Sequence, residues 1–300
     1  MGSKILVIGG SGFLSGTLAR TAVAQGHQVW TVTRGQRSAT EGVTPLTADR
    51  HDRDSFASTI ATANTEWDLV VDCIGYHPED AVQDIELFRE RTPHLVFVST
   101  DFVFHPAHRR LPQSEETDHY LQESYGGDKR LCELELMNGD TGGMAWTVVR
   151  PCHIYGPGSQ LGCLPLHGRN PELIDHLRAG KSLALVGGGY FLQQPILAAD
   201  LSATILSCAG NKNTYDQIFC TSGPDTIESR TYYQIIADIL DVELTVEEIP
   251  VDQHLREHPE AAPFLCHRIY NLSKLKASGA SVPSTSIEQG LREHTESLLD

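Results

Sequence analysis

The 300-residue chain is predicted to be an α/β protein, a doubly wound parallel sheet with a smaller, interleaved C-terminal lobe. Two observations predict this. Short apolar runs rich in Val and Ile, as strands buried on both faces require, alternate through the first half with stretches whose apolar residues recur at helical spacing. Strand followed by helix, repeated, implies parallel pairing with right-handed crossovers and so helices on both faces of one sheet. After Arg150 the alternation lapses, which marks off a less regular second part.

In order, strands are expected at Lys4–Ile8, Gln28–Val32, Val43–Thr47, Asp68–Cys73, Leu95–Ser99 and Trp146–Arg150. Helices are expected between them at Leu14–Gln25, Ser55–Ala63, Glu79–Arg91 and Gly127–Met137; Leu14, Leu18 and Ala22 show the spacing in the first. Pro151, Gly156-Pro157-Gly158 and Gly187-Gly188-Gly189 then punctuate the chain. Beyond them the pattern predicts helices at Leu197–Cys208, Ser229–Leu240 and Ser286–Leu299, and strands at Asp216–Cys220 and Leu244–Ile249. Residues 1–155 read as a dinucleotide-binding domain and 156–300 as mainly a substrate-binding lobe, with segments near 190–215 and 265–280 returning to the core.

A chain of this length can bury a large core. Its 40% hydrophobic and 21% charged residues are those of a folded chain rather than a disordered one. A formal charge of -16 opposes non-specific nucleic-acid binding, which draws on a basic surface. No run approaches the roughly 18 apolar residues of a membrane span. Met1-Gly2-Ser3-Lys4 leads straight into a strand pattern without a signal peptide, and the 7 cysteines show neither CxxC nor metal-ligand spacing. Both features lead to the expectation of a reducing, cytoplasmic setting.

Gly9-Gly10-Ser11-Gly12-Phe13-Leu14 joins the first strand to the first helix. Glycines there permit unusual backbone angles and let the chain approach a pyrophosphate, which the unpaired N–H groups of the helix start would hold. This makes the sheet Rossmann-type, with Gly9, Ser11, Gly12, Phe13 and Leu14 as cofactor-binding residues. Ser15 stands where a third glycine is usual; it is small enough for close helix–strand packing. Arg34 and Arg37, after the second strand, favour the 2'-phosphate of NADP over NAD, since an NAD site usually has a carboxylate there. Asp49 and Arg50 follow the third strand, with Asp49 expected near the adenine amine. Cys73, Ile74 and Gly75 are expected beside the ribose, Gly75 by sparing it a side-chain clash.

Tyr125 and Lys129 lie four residues apart, hence on one face of a helix. A tyrosine is a poor base near neutrality, and a neighbouring ammonium is expected to lower its pKa. The lysine is also expected to hold the cofactor ribose. Thr100, at the end of the fifth strand, is the preferred hydroxyl to align the substrate oxygen, with Ser99 as the fallback; strand C-termini are where open parallel sheets build their sites. Asp101 is an auxiliary acid or a turn former.

These pieces, in this order, resemble an extended short-chain dehydrogenase/reductase of the NAD-dependent epimerase/dehydratase family over nearly the whole chain. The resemblance rests on Gly9–Leu14, on Ser99-Thr-Asp-Phe-Val-Phe104 and on Tyr125-x-x-x-Lys129. Arg150-Pro151-Cys152-His153-Ile154-Tyr155-Gly156-Pro157 and Tyr270-Asn271-Leu272-Ser273-Lys274-Leu275 extend it. It implies Thr100, Tyr125 and Lys129 as the active site, NADP or NAD as cofactor, and an epimerase or ketoreductase of a sugar nucleotide. It also places Pro151 and His153 at the cofactor, and Asp101, Phe102, Tyr155, Gln194 and His267 on the substrate side.

Phe102 stands where the family's 4,6-dehydratases carry an acid, which disfavours water elimination. His153 replaces a common asparagine, and Gln193-Gln194-Pro195-Ile196 a more charged segment. A non-nucleotide sugar, cyclitol or secondary metabolite is therefore the second substrate reading. Ala48-Asp49-Arg50 and Asp72–Tyr76 resemble a divergent branch that includes chloroplast RNA-binding proteins, so a non-catalytic nucleotide- or RNA-binding protein is the third. Partners are expected to be a small-molecule substrate and a second copy of the chain in a homodimer, with no membrane, nucleic acid or metal. His105 and His108 lack the further ligands of a zinc site, and Glu115-Glu116 and Glu247-Glu248 read as solvated carboxylates.

Overall fold

The computed structural model describes residues 2–299. Strands β1 (Lys4–Ile8), β2 (Gln28–Thr33), β3 (Thr44–Thr47), β4 (Leu69–Asp72), β5 (His94–Val98) and β6 (Ala145–Pro151) alternate with helices α1 (Phe13–Ala24), α2 (Arg53–Thr62), α3 (Pro78–Phe88) and α4 (Tyr125–Asn138). The sheet runs in the order β3-β2-β1-β4-β5-β6, and a seventh strand, Gln217–Thr221, pairs with β6. All six pairings are parallel. Strand order reverses between β1 and β4, so a crevice opens beyond Ile8 and Asp72 at the carboxyl ends of the sheet.

Strand alternation sorts the core into two layers. Ile5, Val7, Val71, Val96 and Val98 face one side, under Leu18, Ala19 and Ala22 of α1 and under Leu201 and Ile205 of the helix Ala198–Leu206. Leu6, Ile8, Val70, Leu95 and Phe97 face the other, against Phe56 and Ile60 of α2, Ile85 and Phe88 of α3, and Cys132 and Leu136 of α4. The later half has its own apolar cluster, in which Tyr232, Tyr233 and Ile236 of Ser229–Leu240 meet Leu173, Leu177, Leu183, Leu185, Ile287 and Leu291.

Helix starts differ from the periodicity where capping chemistry intervenes. Pro78 opens α3 one residue early, because its fixed φ suits the first helical turn. α4 begins at Tyr125 rather than Gly127, since Ser124 caps it by accepting the Gly127 N–H at 3.1 Å. The two glycines within that first turn are steric requirements. A Cβ on Gly126 would lie 2.0 Å from the Phe102 carbonyl oxygen, and one on Gly127 would lie 3.1 Å from Gln122. The helix start is thus pressed onto the loop after β5. The strand expected from Leu244 begins at Val246 and pairs with Leu183–Val186 in a ribbon separate from the main sheet.

Candidate active site

The turn after β1 holds Gly9 at φ +113° and Gly10 at φ +101°, a region in which side chains are rarely tolerated. A Cβ on Gly10 would approach Thr31 Cγ2 to 2.5 Å. Ser15 closes the start of α1, where its Oγ accepts the Gly12 N–H at 3.1 Å. Beside this turn lies a cavity of about 360 Å³ bordered by Gly9, Ser11, Gly12, Arg34, Arg37, Asp49, Arg50 and Ile74. Arg34 is exposed, while Arg37 donates to the Ser11 carbonyl at 3.1 Å. An opened glycine turn leading into a helix fits the pyrophosphate of a dinucleotide, and Arg34 and Arg37 follow β2 at the same cavity.

Two expectations at this end need correction. The Arg50 guanidinium turns inward, at 2.9 Å from Asp72, 3.0 Å from Asp84 and 3.2 Å from Asp80, so its donors are engaged by carboxylates rather than by a ligand. Gly75 is a glycine for an internal reason. A Cβ there would lie 2.3 Å from Asp72 Oδ2 and 2.7 Å from the Phe97 ring, and Gly75 does not border either cavity.

A second cavity of about 370 Å³ adjoins the first through Gly12, Ser15, Ile74 and Tyr76. Phe13, Leu14, Cys73, Thr100, Asp101, Phe102, Tyr125, Lys129, Pro151 and His153 all border it. The sheet edge and α4 therefore bring together the hydroxyl, phenol and ammonium that the sequence set 29 residues apart (Thr100 to Lys129). Thr100 Oγ1 accepts the Phe102 N–H at 3.2 Å, which leaves its own proton free to point into the cleft. Ser99 is committed elsewhere, donating to Glu133 at 2.6 Å.

Tyr125 and Lys129 share a helix face but not an electrostatic contact. Lys129 is buried, and its Nζ donates to the Gly75 and Val98 carbonyls, both at 2.6 Å. Tyr125 is 51% exposed. Burial, then neighbouring Tyr76, pushes its phenol up to about 12, opposed in part by the Thr100 hydroxyl. The lowering of the phenol pKa by Lys129 is thus not found, because the ammonium descends to the strand ends while the ring turns outward. Burial lowers the lysine's own pKa, and Asp72 is the chief opposing charge.

On the substrate side, Asp101 is neutralised internally. Burial alone would raise its carboxyl, but Arg268 and Arg109 hold it below its ordinary range, and Tyr270 also donates to it. Phe102 packs edge-on against Phe264 and Tyr125 with centroids 5.3 and 6.3 Å apart, beneath the Arg268 guanidinium. Burial, then Arg169, pushes His153 down to about 4, so it is neutral at physiological pH. It can exchange hydrogen bonds there but is no proton store.

Three expected substrate residues lie away from this cleft. Tyr155 is buried against Tyr232 and His294. The Gln194 amide is fixed between the Gly223 carbonyl and the Tyr270 N–H at 2.9 Å each. His267 is exposed and accepts from the Leu192 N–H at 3.0 Å. Tyr155 and Gln194 are drawn into packing by the fold of the later half, while His267 stays exposed on a backbone contact, demands that local sequence does not announce. Conversely, Tyr76 and Arg169 border the cleft unforeseen. Tyr76 borders both cavities, and Arg169 lies 5.4 Å over the Phe13 ring with no carboxylate salt bridge among the described residues. Tyr76 adjoins a motif already noted, whereas nothing local marks Arg169.

His119 stacks on His108 at 4.0 Å, beside His105. Among the described residues, however, no group of three or more His, Cys, Asp or Glu is placed to hold a metal ion, and no helix is long and apolar enough to cross a membrane.

The family model of the NAD dependent epimerase/dehydratase family matches residues 5–217. The chain is 28% identical over 238 residues to the chloroplast stem-loop binding protein of 41 kDa b of Arabidopsis thaliana, a match covering 73% of this chain and 58% of that protein. It is 24% identical to the 2-alkyl-3-oxoalkanoate reductase of Stenotrophomonas maltophilia, covering 96% of this chain and 97% of the reductase. The structure of the Thermus thermophilus UDP-glucose 4-epimerase in complex with NAD superposes with a TM-score of 0.77 at 17% identity, covering 99% of each chain.

Proposed function

The chain belongs to the NAD dependent epimerase/dehydratase family, and from that premise we propose that it is an NAD(P)-dependent epimerase or ketoreductase acting at a hydroxyl or keto carbon of a sugar nucleotide. The observation that carries this reading is the convergence of Thr100, Tyr125 and Lys129 on one cleft that adjoins the glycine-turn cavity.

A nicotinamide dinucleotide would supply the hydride exchange, and the residues of the two cavities would hold it. The glycine turn and the first N–H groups of α1 would hold its pyrophosphate, and Arg34 and Arg37 are the cations that would meet a 2'-phosphate. NADP is therefore the preferred cofactor, with NAD the alternative. In reduction Tyr125 gives its phenolic proton to the carbonyl oxygen; in oxidation it takes the alcohol proton. Thr100 donates a hydrogen bond that aligns that oxygen. An ammonium has three N–H donors and Lys129 uses two on carbonyls, so the third can hold the ribose. Phe102 offers no proton to a neighbouring carbon, which disfavours dehydration.

One observation favours a second reading. Phe13, Phe102, Ile154 and Leu164 give the cleft an apolar wall, and Arg169 brings a cation with no carboxylate salt bridge among the described residues. That wall suits a non-nucleotide carbonyl compound bearing an anionic group, and a 2-alkyl-3-oxoalkanoate reductase is similar to this chain along nearly its whole length. RNA binding is not proposed, since a net charge of -16 opposes it. The test is to titrate purified protein with NADPH and NADH by fluorescence, then to follow nicotinamide absorbance with UDP- and dTDP-4-keto sugars and with 3-oxo acids. Turnover of a nucleotide sugar upholds the first reading, and turnover of 3-oxo acids alone replaces it with the second. Failure to bind either cofactor overturns both.

A further inference from the structure

Arg50 follows β3, Asp72 ends β4, and Asp80 and Asp84 lie one turn apart on α3, so one guanidinium meets three carboxylates in the interior. A single cation cannot neutralise three anions, and the carboxylates divide. Burial, then the Asp72 charge, pushes Asp84 well above its ordinary range. Burial would raise Asp72 too, but the Arg50 charge prevails and holds it low. Arg50 thus holds Asp72 directly, at 2.9 Å.

That pair fixes the loop after β4. Asp72 Oδ1 accepts the N–H groups of Ile74 at 2.8 Å and Gly75 at 2.9 Å, and Asp80 Oδ2 accepts those of Tyr76 at 2.8 Å and His77 at 3.1 Å. The opposite end of Gly75 is the carbonyl that receives Lys129 at 2.6 Å. The two carbonyls that Lys129 touches are neutral, and no carboxylate forms a salt bridge with it among the described residues. Burial favours loss of its proton, and Asp72 is the strongest charge opposing that loss.

We propose that Arg50 and Asp72 are positioning residues for the active-site lysine: Arg50 holds Asp72, and Asp72 fixes the loop whose Gly75 carbonyl receives Lys129. The inference rests on Lys129 belonging to the active site. Because Arg50 borders the glycine-turn cavity and Lys129 the catalytic cleft, the pair also ties one to the other.

The test needs neither substrate nor cofactor, so its failure is separable from failure of the proposed activity. The titration of Lys129 is followed through its ¹³Cε resonance, assigned with Lys129→Met. In Asp72→Asn the midpoint falls by about one pH unit or more, and in Asp84→Asn, whose carboxylate accepts from Arg50 but from no backbone N–H of residues 74–77, it stays in place. A folded Asp72→Asn protein with an unmoved midpoint overturns the proposal. Should Asp72→Asn not fold, amide hydrogen exchange in Lys129→Met decides. Ile74 and Gly75 then exchange at least about tenfold faster than in the parent while Val70 is unchanged, and unaltered Ile74 and Gly75 exchange overturns it.

Discussion

Arg150 and Glu133 are joined by two hydrogen bonds, Nε to Oε1 at 2.9 Å and Nη2 to Oε2 at 2.6 Å, and neither side chain reaches solvent. The pair clamps α4, which carries Tyr125 and Lys129, to β6. Replacing Glu133 by Leu leaves the Arg150 charge buried without a partner, and the expected loss of stability is about 3–5 kcal/mol, read by denaturant unfolding. Burial alone would raise the Glu133 carboxyl, but Arg150 holds it below its ordinary value. A folded-state pKa below the unfolded one means that the stabilisation is complete above the ordinary Glu pKa of about 4.3 and is lost as pH falls through the lower, folded value. Stability measured from pH 7 down to pH 2 should therefore fall on the acid side less steeply in Glu133→Gln than in the parent.

Tyr125→Phe removes the proton carrier without removing a cofactor contact of the glycine turn. Turnover is expected to drop by about 10²- to 10⁴-fold while the NADPH dissociation constant is unchanged. The phenol is pushed up to about 12, so its protonated form persists through neutral pH. Ketone reduction should be level from pH 6 to 9, and alcohol oxidation should rise with pH as the phenolate fraction grows. Equal turnover in parent and variant removes Tyr125 from the mechanism.

Arg34→Ala tests the cofactor. Loss of a charge-assisted contact to a 2'-phosphate weakens NADPH binding by about tenfold or more, with NADH binding unaffected. A fluorescence titration in which both cofactors weaken equally assigns Arg34 no selective part.

Arg169→Gln separates two uses of the cation over Phe13. If it meets an anionic group of the substrate, KM rises by about tenfold or more and cofactor binding is unchanged. A weakened NADPH dissociation constant with unchanged KM places it on the cofactor pyrophosphate instead.

The first six strands of the sheet and the glycine turn were legible in sequence because their causes are local, whereas the strand expected at 216–220 in the later lobe instead joins the sheet beside β6. Valine-rich strands, helical spacing and glycines at a sharp turn each act within a few residues, and the apolar layers follow from alternation along single strands. The grouping of Thr100, Tyr125 and Lys129 was legible through order and spacing, since their supporting strand and helix lie in the regular half. Tertiary structure alone decided what each polar group does with its charge. Whether Arg50 faces a ligand or three carboxylates depends on Asp72, Asp80 and Asp84, which come from other elements. Lys129 leaves Tyr125 for two strand-end carbonyls. Tyr155 and Gln194 are claimed by packing in the later half, His267 by a surface hydrogen bond from the Leu192 N–H, and Arg169 enters the cleft from that half. Backbone preference is written residue by residue. A buried charge is settled by whichever partners the finished fold brings within hydrogen-bonding reach, and those partners are distant in the chain.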